Sequence, residues 1–186
     1  MAGKTAPMPE PEFAPLKKRP DSGYVQLADG HDAFAARMML VENAVSTLDI
    51  QYYIWEYNLT GRLLFEALER AAERGVTIRL LLDDNNTANL DHVLVRLQRV
   101  DGIDIRLFNP LRNRRLRLLN YLTDFNRLNR RMHNKTFTAD GKASIIGGRN
   151  IGDAYFNAGS GLYFIDLDLL VSGSIVGEIA EDFERY

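Results

Sequence analysis

HNKTFTADGKASIIGGRN, running from His133 to Asn150, is the stretch on which the reading turns. Side chains alternate along an extended chain, so His133 and Lys135 project to one face. An imidazole beside a fixed cation suits attack on an anion. The lysine neutralises a phosphoryl oxygen while the imidazole approaches phosphorus. Asp140 and Gly141 form a turn signal between two short apolar runs, which reads as a hairpin. Gly147 and Gly148 lack Cβ atoms and so permit close backbone approach to an anion. Asn150 adds an amide donor for another non-bridging oxygen. Any one of these residues alone carries little weight, and His31 and His92 read as packed or surface histidines. Their conjunction defines a site for a phosphoryl group.

Outward from this stretch the pattern alternates. Tyr24–Leu27, Leu48–Trp55, Val76–Leu82, Ile103–Phe108, Met132–Ala139, Ala143–Ile146 and Leu162–Val171 read as strands. His31–Val45, Leu63–Ala72, Leu90–Val100 and Ser174–Phe183 have helical spacing, and Gly75 is a stop for the second of these. Apolar strands alternating with helices predict an α/β sandwich with its sheet covered on both faces. Five of the six prolines precede residue 21, so residues 1–21 read as an extended arm and 22–186 as one domain.

The 186 residues are 46% hydrophobic and 26% charged, the composition of a globular chain with a sizeable core. Twenty-three basic residues nearly balance 25 acidic ones, so overall charge does not single out nucleic acid as a partner. The absence of cysteine excludes disulfides, thiolate zinc sites and cysteine nucleophiles. No apolar run approaches the roughly 18 residues of a membrane span, and no signal-peptide core follows Met1. Charge is uneven locally: residues 111–131 hold seven arginines against one acid, Asp124. Arg112, Arg114, Arg115 and Arg117 are candidates for contact with an anionic substrate or membrane surface. Asp83-Asp84-Asn85-Asn86 reads as a set of loop caps in preference to a cation site.

The spacing His-x-Lys-x4-Asp-x6-Gly-Gly-x-Asn resembles the HKD signature of the phospholipase D superfamily. Many members carry serine where Gly148 stands, and one branch carries glycine. Asp49–Ile54, Leu80–Asn85, Arg106–Pro110, Arg127–Lys135 and Gly147–Phe156 are similar to that branch, the bacterial cardiolipin synthase C-like group. The resemblance covers roughly Tyr24 to the end, with the motif region about 127–154. It implies an α-β-α sandwich with a mixed sheet, and a double displacement without metal or other cofactor. His133 is then the nucleophile that forms a phosphohistidine, Lys135 and Asn150 are phosphate ligands, and Asp140 is a turn residue. An acid on the following strand holds the histidine tautomer; Asp166 is favoured over Asp168. Arg149, beside the glycines, is a further candidate for substrate or membrane contact.

The family works with two such motifs facing each other, and this sequence has one. The favoured expectation is the N-terminal half of a two-motif phosphatidyltransferase, with a homodimer completing the site as the alternative. A phosphodiesterase on lipid or nucleic acid and an inactive lipid- or protein-binding fragment are the competing functions, with nucleic acid the less favoured substrate. The implied location is peripheral, at the cytoplasmic face of a bacterial inner membrane.

Overall fold

The central strands follow from apolar residues at every second position. In β2 (Thr47–Tyr52), Leu48, Ile50 and Tyr52 are fully buried on one face. β2 pairs in parallel with β3 (Thr77–Asp83), which pairs in parallel with β4 (Ile103–Phe108). On its other side β2 pairs antiparallel with β5 (Thr136–Ala139), followed by β6 (Ala143–Gly147), β7 (Asp168–Ser172) and β1 (Gly23–Leu27). The result is one mixed seven-stranded sheet in the order β1-β7-β6-β5-β2-β3-β4. The computed structural model describes residues 21–87, 89–111 and 130–186. The proline-rich arm up to residue 20 and Arg112, Arg114, Arg115 and Arg117 lie outside the described residues.

One sheet face carries the apolar core. Leu48, Ile50, Ile78, Leu80, Leu82, Phe137 and Ile145 meet two helices there. The first, α1 (Gly30–Asn43), starts at Asp29, whose carboxylate accepts the His31 and Asp32 N–H groups at 2.7 and 3.2 Å. It buries Ala33, Arg37 and Val41, four residues apart, which stack along one stripe. The second, α2 (Leu59–Glu73), is capped by Asn58 and buries Leu64, Phe65, Leu68, Ala71 and Ala72. It stops where Gly75 takes a φ of +92°, a conformation open to glycine. A shorter helix, α3 (Asp91–Leu97), adds Val93, Leu94 and Leu97 to the same core.

The opposite face is polar. Asp49, Gln51, Thr138 and Ser144 are buried on it, with Thr138 and Ser144 hydroxyls 2.8 Å apart. The last helix, α4 (Ile175–Phe183), lies on this side. Arg79 ties it to the sheet, donating to Asp49 and to Glu184, each at 2.6 Å, with its guanidinium over the Phe183 ring. Among the described residues, no helix is long and apolar enough to cross a membrane.

Two expected strands are shorter than their apolar patterns. Met132–Lys135 does not join the ladder, because the Met132 N–H is drawn to the Asp83 carboxylate at 3.0 Å. Strand geometry begins at Thr136. Likewise Leu162–Leu167 is loop, not strand: Leu162 is 96% exposed and Ile165 103%, and the Phe164 N–H bonds back to Ala154. Pairing begins at Asp168.

Candidate active site

The register brings five chain segments to one edge of the sheet. β2 and β3 end there, β5 begins, β6 ends and β7 begins, since Gln51 pairs with Thr136, Thr136 with Ile146 and Gly147 with Asp168. His133 and Lys135 therefore reach the edge just before β5, and Gly147 to Asn150 just after β6. They converge on two residues leaving β2. The exposed His133 ring lies against Tyr53, centroids 4.0 Å apart and planes 41° from parallel. The Lys135 ammonium sits 5.7 Å from the same Tyr53 ring and donates to the His133 carbonyl at 2.8 Å. The next residue, Ile54, donates its N–H to Asn150 Oδ1 at 3.1 Å, and Asn150 Nδ2 donates to the Tyr155 hydroxyl at 3.1 Å. With both ends of the amide held, Asn150 has one orientation.

Partial burial lowers the Lys135 pKa from its ordinary value, and the nearby Asp166 and Asp168 charges oppose that shift. Asp166 rests over Gly148, where a Cβ would fall on its carboxylate, and accepts the Leu167 N–H at 2.9 Å. A Cβ at Gly147 would fall on Asp168 and the Leu167 carbonyl. The space that a side chain at either glycine would take is held by the protein's own carboxylates. Asp168 is fully buried, accepting from Arg37 Nη2 at 2.9 Å and from the Arg149 N–H at 3.2 Å.

Arg149 is not available to substrate or membrane. Its side chain is 2% exposed and donates to the Leu27, Ala28 and Tyr155 carbonyls, binding the glycine turn to the exit of β1. Asp140 lies at the far end of β5 from His133, its carboxylate accepting the Val45, Ser46 and Thr47 N–H groups. Asp83 and Asp84 are occupied by the chain itself. Asp83 accepts from Asn85, Arg131 and Met132, and Asp84 from Thr87 and Leu111. His31 sits at the start of α1 and His92 lies edge-on to Tyr57.

Tyr53, Tyr155 and Arg37 are the residues the sequence reading passed over. Tyr53 and Tyr155 fall inside stretches noted for resemblance, but an aromatic after a buried strand looks like core. Arg37 sits 131 positions from Asp168, and no local pattern pairs them.

Solved structures share this fold. NucT from Helicobacter pylori superposes with a TM-score of 0.67 at 14% identity, over 89% of this chain and 95% of that one. Nuc from Salmonella typhimurium, a phospholipase D family member, does so with a TM-score of 0.62 at 13% identity, over 89% and 93%. The chain belongs to the family described as cardiolipin synthase, PLD-like domain, whose model matches residues 38–186. It is 57% identical over 164 residues to cardiolipin synthase C of Escherichia coli (strain K12), covering 88% of this chain and 35% of that protein. It is 34% identical over 149 residues to a cardiolipin synthase of Listeria monocytogenes serotype 4a, covering 80% and 29%. The chain thus spans about a third of the length of the curated relatives it matches.

Proposed function

We propose that this chain supplies one half of the active site of a phosphatidyltransferase of the cardiolipin synthase type. The observation that carries the reading is the convergence of His133, Lys135 and Asn150 on Tyr53 and Ile54. A nitrogen of His133 attacks phosphorus of a phospholipid; a P–N bond forms, the P–O bond to the departing alcohol breaks, and that oxygen takes a proton from a second histidine. The acceptor hydroxyl then gives its proton to that same histidine as its oxygen attacks phosphorus and the P–N bond breaks. Lys135 and Asn150 bear the charge that gathers on the non-bridging oxygens. Asp166, beside Lys135, is the acid read as holding the His133 tautomer. With His31 and His92 placed elsewhere, the second histidine belongs to a second unit, in the same longer protein or in another copy. The relatives' names favour a phospholipid substrate at a bacterial membrane; the arginines between 112 and 117 suit peripheral attachment to its cytoplasmic face.

The test is to quench the protein, alone and joined to a second motif-bearing unit, after mixing with phosphatidylglycerol vesicles. An acid-labile, alkali-stable phosphoryl adduct on His133 is expected, absent in His133→Ala. Lipid turnover with the adduct only on another residue overturns the assignment. Cleavage of single-stranded DNA without lipid turnover overturns the lipid reading.

A further inference from the structure

Beside the site, between the exits of β2 and β3, lies a groove of about 340 Å³, the size of a small-ligand pocket. Trp55 and Leu90, almost fully buried, form its floor, and Glu56, Asn85, Asn86 and Asn89 provide its polar lining. The groove touches both arms of the site. Asn86 Nδ2 donates to the carbonyl of Tyr53, the residue packed on His133, at 3.2 Å. The Glu56 carboxylate lies against Gly152, two residues beyond Asn150. Among the described residues its lining contains no cation, so it is chemically unlike the Lys135 side, where a phosphate belongs. Neutral amides with one carboxylate match hydroxyl groups, which both donate and accept. Asn89 is exposed and, among the described residues, its side chain has no hydrogen-bond partner, while the Glu56 carboxylate accepts from Asn58 through Oε2 at 2.7 Å.

We infer that this groove receives the hydroxyl-bearing headgroup of the acceptor, a glycerol-type polyol, and directs it at phosphorus held by His133 and Lys135. The inference rests on the transfer reaction proposed above. A site that hydrogen-bonds a hydroxyl discriminates against ligands lacking one, because its own polar groups are then left unpaired.

The isotope-labelled chain is titrated with glycerophosphoglycerol, inorganic phosphate and free glycerol while side-chain amide and Lys135 signals are followed by NMR. Glycerophosphoglycerol is expected to shift Asn86, Asn89 and Lys135 together, and phosphate to shift Lys135 alone. Free glycerol should reach the asparagines only at tenfold or more higher concentration, since it lacks the phosphate anchor; an equal midpoint would separate groove from site and overturn the acceptor role. Asn89→Leu, a surface change that spares the fold, should raise the headgroup midpoint about tenfold, the worth of one hydrogen bond, while the phosphate response persists. In lipid turnover by a two-unit form, the same variant should divert product from transfer to hydrolysis. Shifts at Lys135 without the asparagines, shifts of the asparagines by phosphate, or an unchanged product ratio overturn the groove while leaving the transfer reading intact. No shift at Lys135 with any phosphorylated probe overturns the transfer reading itself.

Discussion

At Asp140 a single carboxylate gathers three backbone N–H groups from the connection between α1 and β2 at 2.7 to 3.0 Å. Although burial works the other way, these bonds hold its pKa below the ordinary 3.8. The folded form therefore binds the proton less readily than the unfolded one. The stabilisation is complete above the unfolded pKa and is lost as pH falls below about 3.8 through the folded value. Asp140→Asn should cost about 1–2 kcal/mol at pH 7, a figure held down by solvent around the carboxylate. It should also flatten the acid side of the stability curve. Urea midpoints measured from pH 7 to pH 3 check both; parallel curves for the two proteins would contradict the account. The sequence marks Asp140 as a turn residue, and its φ of +53° agrees with the turn. Its three partners, more than 90 positions away, are not legible there.

At the scale of elements, the glycine turn after β6 is shaped by what lies behind it. Placing a methyl at Gly148 drives Asp166 off its seat and away from Lys135. The Lys135 pKa, raised by that carboxylate against burial, should then fall further below 10.5 in Gly148→Ala. NMR titration of the lysine ammonium reads the shift, and an unchanged midpoint would show that Asp166 does not act there. Deeper in, Arg37 of α1 joins Asp168 of β7 and the Tyr52 hydroxyl of β2, each at 2.9 Å and each fully buried. Asp168→Asn leaves the buried Arg37 charge without its counter-charge and should cost about 3–5 kcal/mol. Arg37→Met leaves Asp168 the Arg149 guanidinium at 3.6 Å and should cost less. The double variant should lose less than the sum, as chemical denaturation will show; strict additivity would deny the coupling. Strands β2, β3 and β4 are legible because apolar residues recur at every second position, as in Leu48-Ile50-Tyr52, Ile78-Leu80-Leu82 and Ile103-Ile105-Leu107. The segments Met132–Lys135 and Leu162–Leu167 are not, because Asp83 captures one and the other carries its apolar side chains outward. Both misread segments border the site, where backbone leaves the sheet to present side chains.

For the molecule as a whole, the fold and the motif were legible, while the second histidine of the proposed reaction is not supplied by the motif. Double displacement needs a nucleophile and a separate acid, and the motif here has one histidine. In solution the chain alone should turn lipid over very slowly or not at all. If copies pair about a twofold axis, two His133 rings can meet, and weak activity should appear with the dimer. Mass measurement alongside the assay decides the matter, and a fully active monomer would remove the two-histidine mechanism. The exposed apolar loop at 162–167 favours association, since such surface is seldom left in water.

The pairing of β1 with β7 also governs when the unit can form. Gly23 and Ser172, roughly 150 residues apart, are neighbours in the ladder. Among the described strands, a ribosome delivers β1 first and its partner β7 after the other five, so the first strand waits while they are made. The parallel trio β2, β3 and β4 can assemble early with α1 and α2. The carboxylate of Asp168, which binds Arg37 and the glycine turn, arrives only with β7. The site edge is therefore completed only once β7 has been made.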